Sequence, residues 1–305
     1  VNAVFLNDTS TGHAGSVAAS QSILGVLRRA GVQVVYRHPV GSCSLPKWLE
    51  GWSQSRIEKH LHCDPRSLLV VCHGEGTLHK AYQGPAAPRA SWLLSQLRGA
   101  AEAGLRVAVL NALLGARSGE ALCDMATNRR APTLVTVREP MSLKTLGQAP
   151  DCVLLADSCA DPRVWEGGEP LFELPPIVRG FTHPSSQRSN VLDKHDYVRF
   201  GLFQRFRDVV ATLRTCSCYL TGQHHGVYAA GLAGIPFVPV PSNSHKIEAL
   251  IQWSGLPIRI ARDHKQVKDH MKWARAHPKV FQDFHRWLVS RPYLTEEHLR
   301  PLLDA

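Results

Sequence analysis

No apolar run in this 305-residue chain reaches the ~18 to 20 residues that a membrane-spanning helix requires, and no basic stretch followed by an apolar signal core opens it. A soluble, cytoplasmic protein is therefore expected. The chain does not begin with Met, which leaves room for a segment upstream of Val1. None of its eight cysteines forms a C-x-x-C pair, and Cys216-x-Cys218 is too closely spaced for a zinc knuckle. Several lie in apolar runs, as buried free thiols do in a reducing compartment, so neither a zinc site nor a disulfide framework is expected. G-x-G-x-x-G and Walker loops are also missing, as is an Asp-x-Asp pair for a metal-bound nucleotide. No cofactor and no metal are expected. The net charge of +10 favours an anionic partner: a phosphorylated small molecule, a nucleotide or an acidic membrane surface. Its Lys and Arg residues are dispersed, and no zinc-finger, RNA-recognition or helix-turn-helix signature accompanies them, so nucleic acid is not expected.

What is present is ordinary globular composition, 44% hydrophobic and 20% charged, in a length that suits two domains of about 150 residues each. Patterning predicts strands at Val1–Leu6, Val32–Tyr36, Ser67–Cys72, Arg106–Leu110, Thr133–Val137 and Val153–Asp157. Helices are predicted from Ser16 to Ala30, Ala90 to Gly104 and Ser118 to Thr127. This alternation implies a doubly wound parallel sheet over residues 1–162. Within 39–64, Trp48 and Trp52 have the i, i+4 spacing of one helix face. Residues 165–190, rich in Pro, Gly and Ser, read as an irregular connection into a second Rossmann-like domain over 163–305. There a helix is expected around Tyr197–Arg214, a short strand at Ile258–Ile260, and helices from Asp263 onward. Those last helices put Trp273, Phe281, Phe284, Trp287 and Leu288 in a core, and His264, His270, His277 and His285 on the surface.

In a parallel sheet, ligands bind beyond the carboxyl ends of the strands. The polar residues placed there are therefore the candidates: Asp8, Ser10 and His13 in the first loop; His73, Glu75 and His79 in His73-Gly74-Glu75-Gly76-Thr77-Leu78-His79; then Asn111, Arg138 and Asp157. Glu75 supplies a carboxylate suited to a general base or a hydroxyl partner, and the glycines let backbone approach a ligand. For Asp8 and Ser10, capping and turn formation alone account for the residue types. The sharpest feature is Thr221-Gly222-Gln223-His224-His225-Gly226, between an apolar strand ending at Leu220 and a helix rich in small residues that ends at Gly234-Ile235-Pro236. Gln223, His224 and His225 stand at a helix N-terminus, where unpaired N–H groups favour anions. A third strand-to-helix loop carries Ser242-Asn243-Ser244-His245-Lys246. Asn243 or Ser244 is expected to cap the helix, and a lysine at a helix start suggests an anion in front of it.

Leu69–His79, Thr136–Leu146 followed by Asp157, and Thr221–Glu248 together resemble the polysaccharide pyruvyl transferase superfamily. The resemblance implies two Rossmann-like doubly wound domains facing a cleft, the glycosyltransferase B arrangement, with acceptor side 1–162 and donor side 163–305. It further implies pyruvyl transfer from phosphoenolpyruvate to a sugar of a cell-surface polysaccharide or its lipid-linked precursor, with possible peripheral contact at the inner face of the cell membrane. The family's Arg-x-His motif is matched at His225, but Gln223 stands where its arginine belongs. In this reading Glu75 or His79 serves the acceptor hydroxyl, aided by Asp8, Ser10, His13, His73 and Asn111. His225 acts as the acid, while Gln223, His224, Ser244, His245, Lys246 and Arg138 face the donor. Two alternatives follow from the missing arginine: a glycosyltransferase using a nucleotide-activated sugar such as a CMP-linked acidic one, and a glycan- or nucleotide-binding module without catalysis.

Overall fold

The computed structural model describes residues 1–80, 87–127, 131–147, 151–174, 176–179 and 205–305. It divides into two units, one of Val1–Ser10, Ser20–Asp157 and Leu294–Ala305, the other of Thr11–Ala19 and Ser158–Tyr293. Among the described residues no helix is long and apolar enough to cross a membrane.

The first unit is built on β1 (Asn2–Asp8), β2 (Gln33–Pro39), β3 (Leu69–Glu75), β4 (Arg106–Ala112), β5 (Thr133–Val137) and β6 (Cys152–Leu154). Their order is β2-β1-β3-β4-β5-β6, and every pairing is parallel. Successive strand residues point to opposite faces, and both faces are apolar here, as a sheet covered on two sides requires. Val4 and Leu6 join Leu93 and Leu97 of α3 (Ala87–Glu102) in one core. Ala3 and Phe5 join Ile23 and Leu27 of α1 (Ala14–Arg29) in the other. That second core also takes Leu299 and Leu302 of the final helix, Glu296–Leu303, so this helix packs in the first unit although it lies far beyond residue 162. Arg106 fastens it by donating from Nη1 to the carbonyls of Leu302 (2.9 Å) and Leu303 (3.1 Å), a cation at a helix C-terminus.

Trp48 and Trp52 do not share a helix face. Gly51 (φ +63) and Trp52 (φ +51) are left-handed and end a 3-10 turn before α2 (Gln54–Leu61) begins. Trp52 is buried in the core, while Trp48 stacks on His60 at 4.3 Å between ring centroids.

The second unit holds a parallel sheet of β7 (Ile177–Arg179), β8 (Cys218–Thr221) and β9 (Phe237–Pro239), in that order. Around it lie α6 (Pro162–Trp165), α7 (Phe206–Leu213), α8 (His224–Ala233), α9 (Lys246–Ser254), α10 (His264–Ala276) and α11 (Pro278–Val289). β7 falls inside the stretch expected to be irregular. Residues 175 and 180–190 of that stretch, and the part of the Tyr197–Arg214 helix before residue 205, lie outside the described residues. The small residues of α8 permit close packing: a Cβ on Gly231 would come within 2.5 Å of Phe284 Cε1. Ile258–Ile260 does not form a strand. The even residues of β9 face β8, so Pro239 and Pro241 turn to the open edge without N–H donors, and only the Ala261 N–H to Pro239 carbonyl bond forms there (2.9 Å). Phe281, Phe284 and Leu288 are buried as expected. His285 is not a free surface group: it is half-buried, with Nδ1 3.0 Å from the Gly231 carbonyl.

All eight cysteines are free thiols. Burial pushes the Cys72 and Cys218 thiols up to about 12 and Cys216 up to about 11, whereas Cys43 is exposed. Thiolate is the reacting form. Iodoacetamide at pH 8 is thus expected to label Cys43 and to leave Cys72, Cys216 and Cys218 unmodified until denaturant is added. Peptide mass mapping checks this, and labelling of Cys218 in the folded protein at the rate of Cys43 would contradict it.

Candidate functional site

Three residues at the carboxyl ends of first-unit strands have left-handed backbone: Asn7 (φ +59) on β1, Glu75 (φ +37) on β3 and Asn111 (φ +58) on β4. Asparagine tolerates this region, but for glutamate it is a strained conformation, of a kind that clusters at functional sites. Leu113 N–H donates to the Glu75 carbonyl at 2.7 Å and helps hold the turn. Beneath this edge runs a buried polar chain. Asn7 Nδ2 donates to the His73 carbonyl (2.6 Å) and to Thr77 Oγ1 (3.1 Å). His73, with no exposed surface, has Nδ1 3.3 Å from Thr9 Oγ1 and 3.2 Å from Ser20 Oγ, and Nε2 3.2 Å from Asn111 Nδ2. An Asn111 amide donating to Nε2 leaves the ring proton on Nδ1, facing the hydroxyls. Asn111 Nδ2 also lies 3.5 Å from Asp157 Oδ1, and Arg138 Nη1 donates to Asp157 Oδ2 at 2.6 Å.

This network sorts the sequence candidates of the first unit. His73 and Asn111 are buried parts of the scaffold under the strand ends. Arg138, 2% exposed, is paired through Nη1 with Asp157. Asp8 forms a turn with Ser10, accepting at Oδ1 from its N–H (3.0 Å) and hydroxyl (2.6 Å), and Arg37 Nε donates to Asp8 Oδ2 (2.8 Å). Glu75 and His79 remain as partly exposed groups of the β3 loop. Thr9, Ser20 and Asn7 were not singled out from sequence. Their signal was their place at the ends of a strand and in the following helix, which many capping residues share.

In the second unit, β8 delivers the chain through Thr221 to Gln223, the N-cap of α8, with no side-chain cap on the helix. His224 and His225 form its first turn and are 2% and 4% exposed. A Cβ on Gly226 would lie 2.4 Å from Thr221 Oγ1, so glycine is needed for the helix to start this close to the strand. His225 packs beside His13, ring centroids 4.9 Å apart, and a Cβ on Gly15 would come within 2.3 Å of His225 Cβ. His13 is held by Ser16, whose hydroxyl lies 3.1 Å from Nε2. His224 lies 5.0 Å from the Tyr228 ring.

The loop after β9 leads into α9. Neither Asn243 nor Ser244 caps it: His245 is the N-cap, without a side-chain bond, and Asn243 Oδ1 instead accepts from Lys246 Nζ at 2.8 Å. Ser244 Oγ and Glu248 Oε2 are buried with no hydrogen-bond partner among the described residues. At the strand ends of the second unit, α8 and α9 thus start without side-chain caps, with His224 and His225 at the first start and Ser244 and Lys246 at the second, groups suited to an anionic ligand.

No protein-family model and no curated protein matches the chain in sequence. Solved structures resemble it in fold. The UDP-N-acetylglucosamine 2-epimerase of Neisseria meningitidis bound to UDP-GlcNAc superposes with a TM-score of 0.54 at 8% identity, over 99% of this chain and 98% of that one. The glycosyltransferase SnogD of Streptomyces nogalater gives 0.51 at 13% identity over all of both chains, and the spinosyn rhamnosyltransferase SpnG, complexed with thymidine diphosphate, 0.53 at 14%, also over all of both. The chain thus has the two-domain Rossmann-like fold of glycosyltransferase B type.

Proposed function

We propose that this protein is a transferase that modifies a glycan hydroxyl, moving a pyruvyl group from phosphoenolpyruvate. The observation that carries the reading is the buried His225 on the uncapped N-terminus of α8, in the stretch that most resembles the pyruvyl transferases. In the reaction, two acceptor hydroxyl oxygens bond to C2 of the enol phosphate as its C2=C3 double bond is lost, and the C2–O bond to phosphate breaks. One hydroxyl proton ends on the methylene carbon, which becomes a methyl, and the other leaves with phosphate. Glu75 or His79 takes or orients the acceptor proton, and His225 donates a proton or stabilises the departing anion. Lys246, Ser244 and the helix N-termini hold phosphate or carboxylate.

A second reading, transfer from a nucleotide-activated sugar, rests on two residues. Gln223 lacks the charge of the family's arginine, which weakens an oxyanion contact by about 1.5–3 kcal/mol per lost charge-assisted bond. Glu248 keeps a buried oxygen without a partner. A carboxylate oxygen accepts hydrogen bonds, which a ribose diol can donate and phosphoenolpyruvate at neutral pH cannot. The domain division at 162/163, with the acceptor side before it and the donor side after it except for Arg138, belongs to both readings. Thermal unfolding decides between them, since a ligand that binds only the native state raises the midpoint with its concentration. Under the pyruvyl reading phosphoenolpyruvate raises the midpoint beyond what inorganic phosphate does at the same concentration, and Lys246→Ala removes that excess. A rise with CMP or another nucleotide, and none with phosphoenolpyruvate, rejects that reading in favour of sugar transfer.

A further inference from the structure

At the carboxyl edge of the first unit's sheet, the end of β2 and the helix α3 hold two groups that the preceding roles do not use. His38 is 1% exposed, and neither of its ring nitrogens makes a well-formed hydrogen bond. Its ring stacks on Trp92 of α3, centroids 4.7 Å apart and planes 28° apart. Trp92 lies one helical turn from Arg89, so both side chains leave the same face of α3. Arg89 is half-buried, and its Nε is buried without a partner; it forms no ion pair among the described residues. Its guanidinium reaches the loop that follows β2, where Nη2 would lie 3.5 Å from a Cβ on Gly41. Asp8, across from Pro39 in the β1–β2 register, is already paired with Arg37 and does not neutralise it.

The buried His38 ring nitrogens and Arg89 Nε cost free energy as they stand, since a buried polar atom without a well-formed hydrogen bond has given up water for little return. Unsatisfied buried groups call for an explanation, and a ligand that completes them is one. Burial lowers the His38 pKa more than the neighbouring Ser44 backbone raises it, so at neutral pH the ring offers one N–H. A guanidinium fork is the side chain best shaped for a carboxylate or phosphate. We propose that His38 and Arg89 form an oxyanion-binding site at the end of β2, which takes the phosphate or carboxylate of an acidic ligand. It draws on first-unit residues alone and stands whichever donor reading holds.

The test uses the full chain, in wild-type and Lys246→Ala backgrounds, titrated with inorganic phosphate or with acetate at ionic strength fixed by sodium chloride. Thermal midpoint and tryptophan fluorescence are read together, with Trp92→Phe identifying the fluorescence of that ring. We expect a saturable response in both backgrounds, with Arg89→Gln raising the Kd about tenfold or more. His38→Phe, which keeps a ring against Trp92, weakens binding as well, and Arg89→Lys falls between wild type and Arg89→Gln. A response to phosphate alone assigns the site to phosphate-bearing ligands; a response to acetate as well assigns it to carboxylates too. The proposal is overturned if neither anion gives a saturable response, if Arg89→Gln binds as wild type does, or if Lys246→Ala removes the whole response.

Discussion

Replacement of His225 by alanine is expected to lower turnover by ~10²- to 10⁴-fold, the usual contribution of a positioned acid or base. Folding stability is expected to fall by no more than about 1–3 kcal/mol, an ordinary loss for one buried side chain. The separation of the two effects follows from how the residue is held. Gly15 approaches the Cβ and Cγ of His225, and alanine keeps the Cβ, so part of that packing survives. The small residues that seat α8 are untouched. What is lost is the imidazole, at a helix end whose N–H groups favour a departing anion. Release of inorganic phosphate from phosphoenolpyruvate measures turnover and chemical denaturation measures stability. If the activity lost equals the fraction of protein unfolded, His225 is a packing residue.

Arg138→Met is expected to destabilise the protein by about 3–5 kcal/mol, because it removes the Arg138 counter-charge from the buried Asp157 carboxylate. Asp157 is fully buried and Arg138 2% exposed, so water cannot take the place of the missing partner. Asn111 adds a long contact to the other carboxylate oxygen, at 3.5 Å. Replacing both partners, as Arg138→Met with Asp157→Leu, is expected to recover much of the loss, since a buried pair contributes less than the cost of breaking it. Denaturant titration of the two single variants and the double variant forms the cycle. A loss below about 1 kcal/mol for Arg138→Met would mean that solvent reaches the pair.

The strand-turn-helix units were legible because they depend on local signals. Thr133–Val137 is predicted and observed over the same residues, and α8 begins at His224, within the Gln223–His225 stretch expected at a helix N-terminus, where Gly226 must meet Thr221. Failures occur where distant groups decide. Ile258–Ile260 has the composition of a strand, but Pro239 and Pro241 deny it donors, and that matters only once β9's edge is known. Trp48 and Trp52 have helical spacing, but left-handed backbone at Gly51 and Trp52 separates them. Among the candidates, the positions at strand ends were readable, and which of them are tied up was not. Arg138 read as a ligand group, whereas its partner lies nineteen residues on. His73 read as a loop histidine, whereas Thr9, Ser20 and Asn111 enclose it from three other elements. His38 carried no signal at all, because nothing in its neighbours along the chain reveals that it lacks a partner.

The path of the chain between the units bears on how the protein is made. Leu294–Ala305 belong to the first unit, and Leu294, Leu299 and Leu302 complete one of its two cores. A ribosome that has finished every strand of the six-stranded sheet has therefore not yet supplied the material that closes it. Until those residues emerge, Phe5, Val71, Ala108 and Leu110 share a face that lacks part of its cover, and Arg106 waits for the carbonyls of Leu302 and Leu303. The unit whose strands come earlier in the chain is thus sealed later, and loss of Leu294–Ala305 harms the core around Phe5 and Val71.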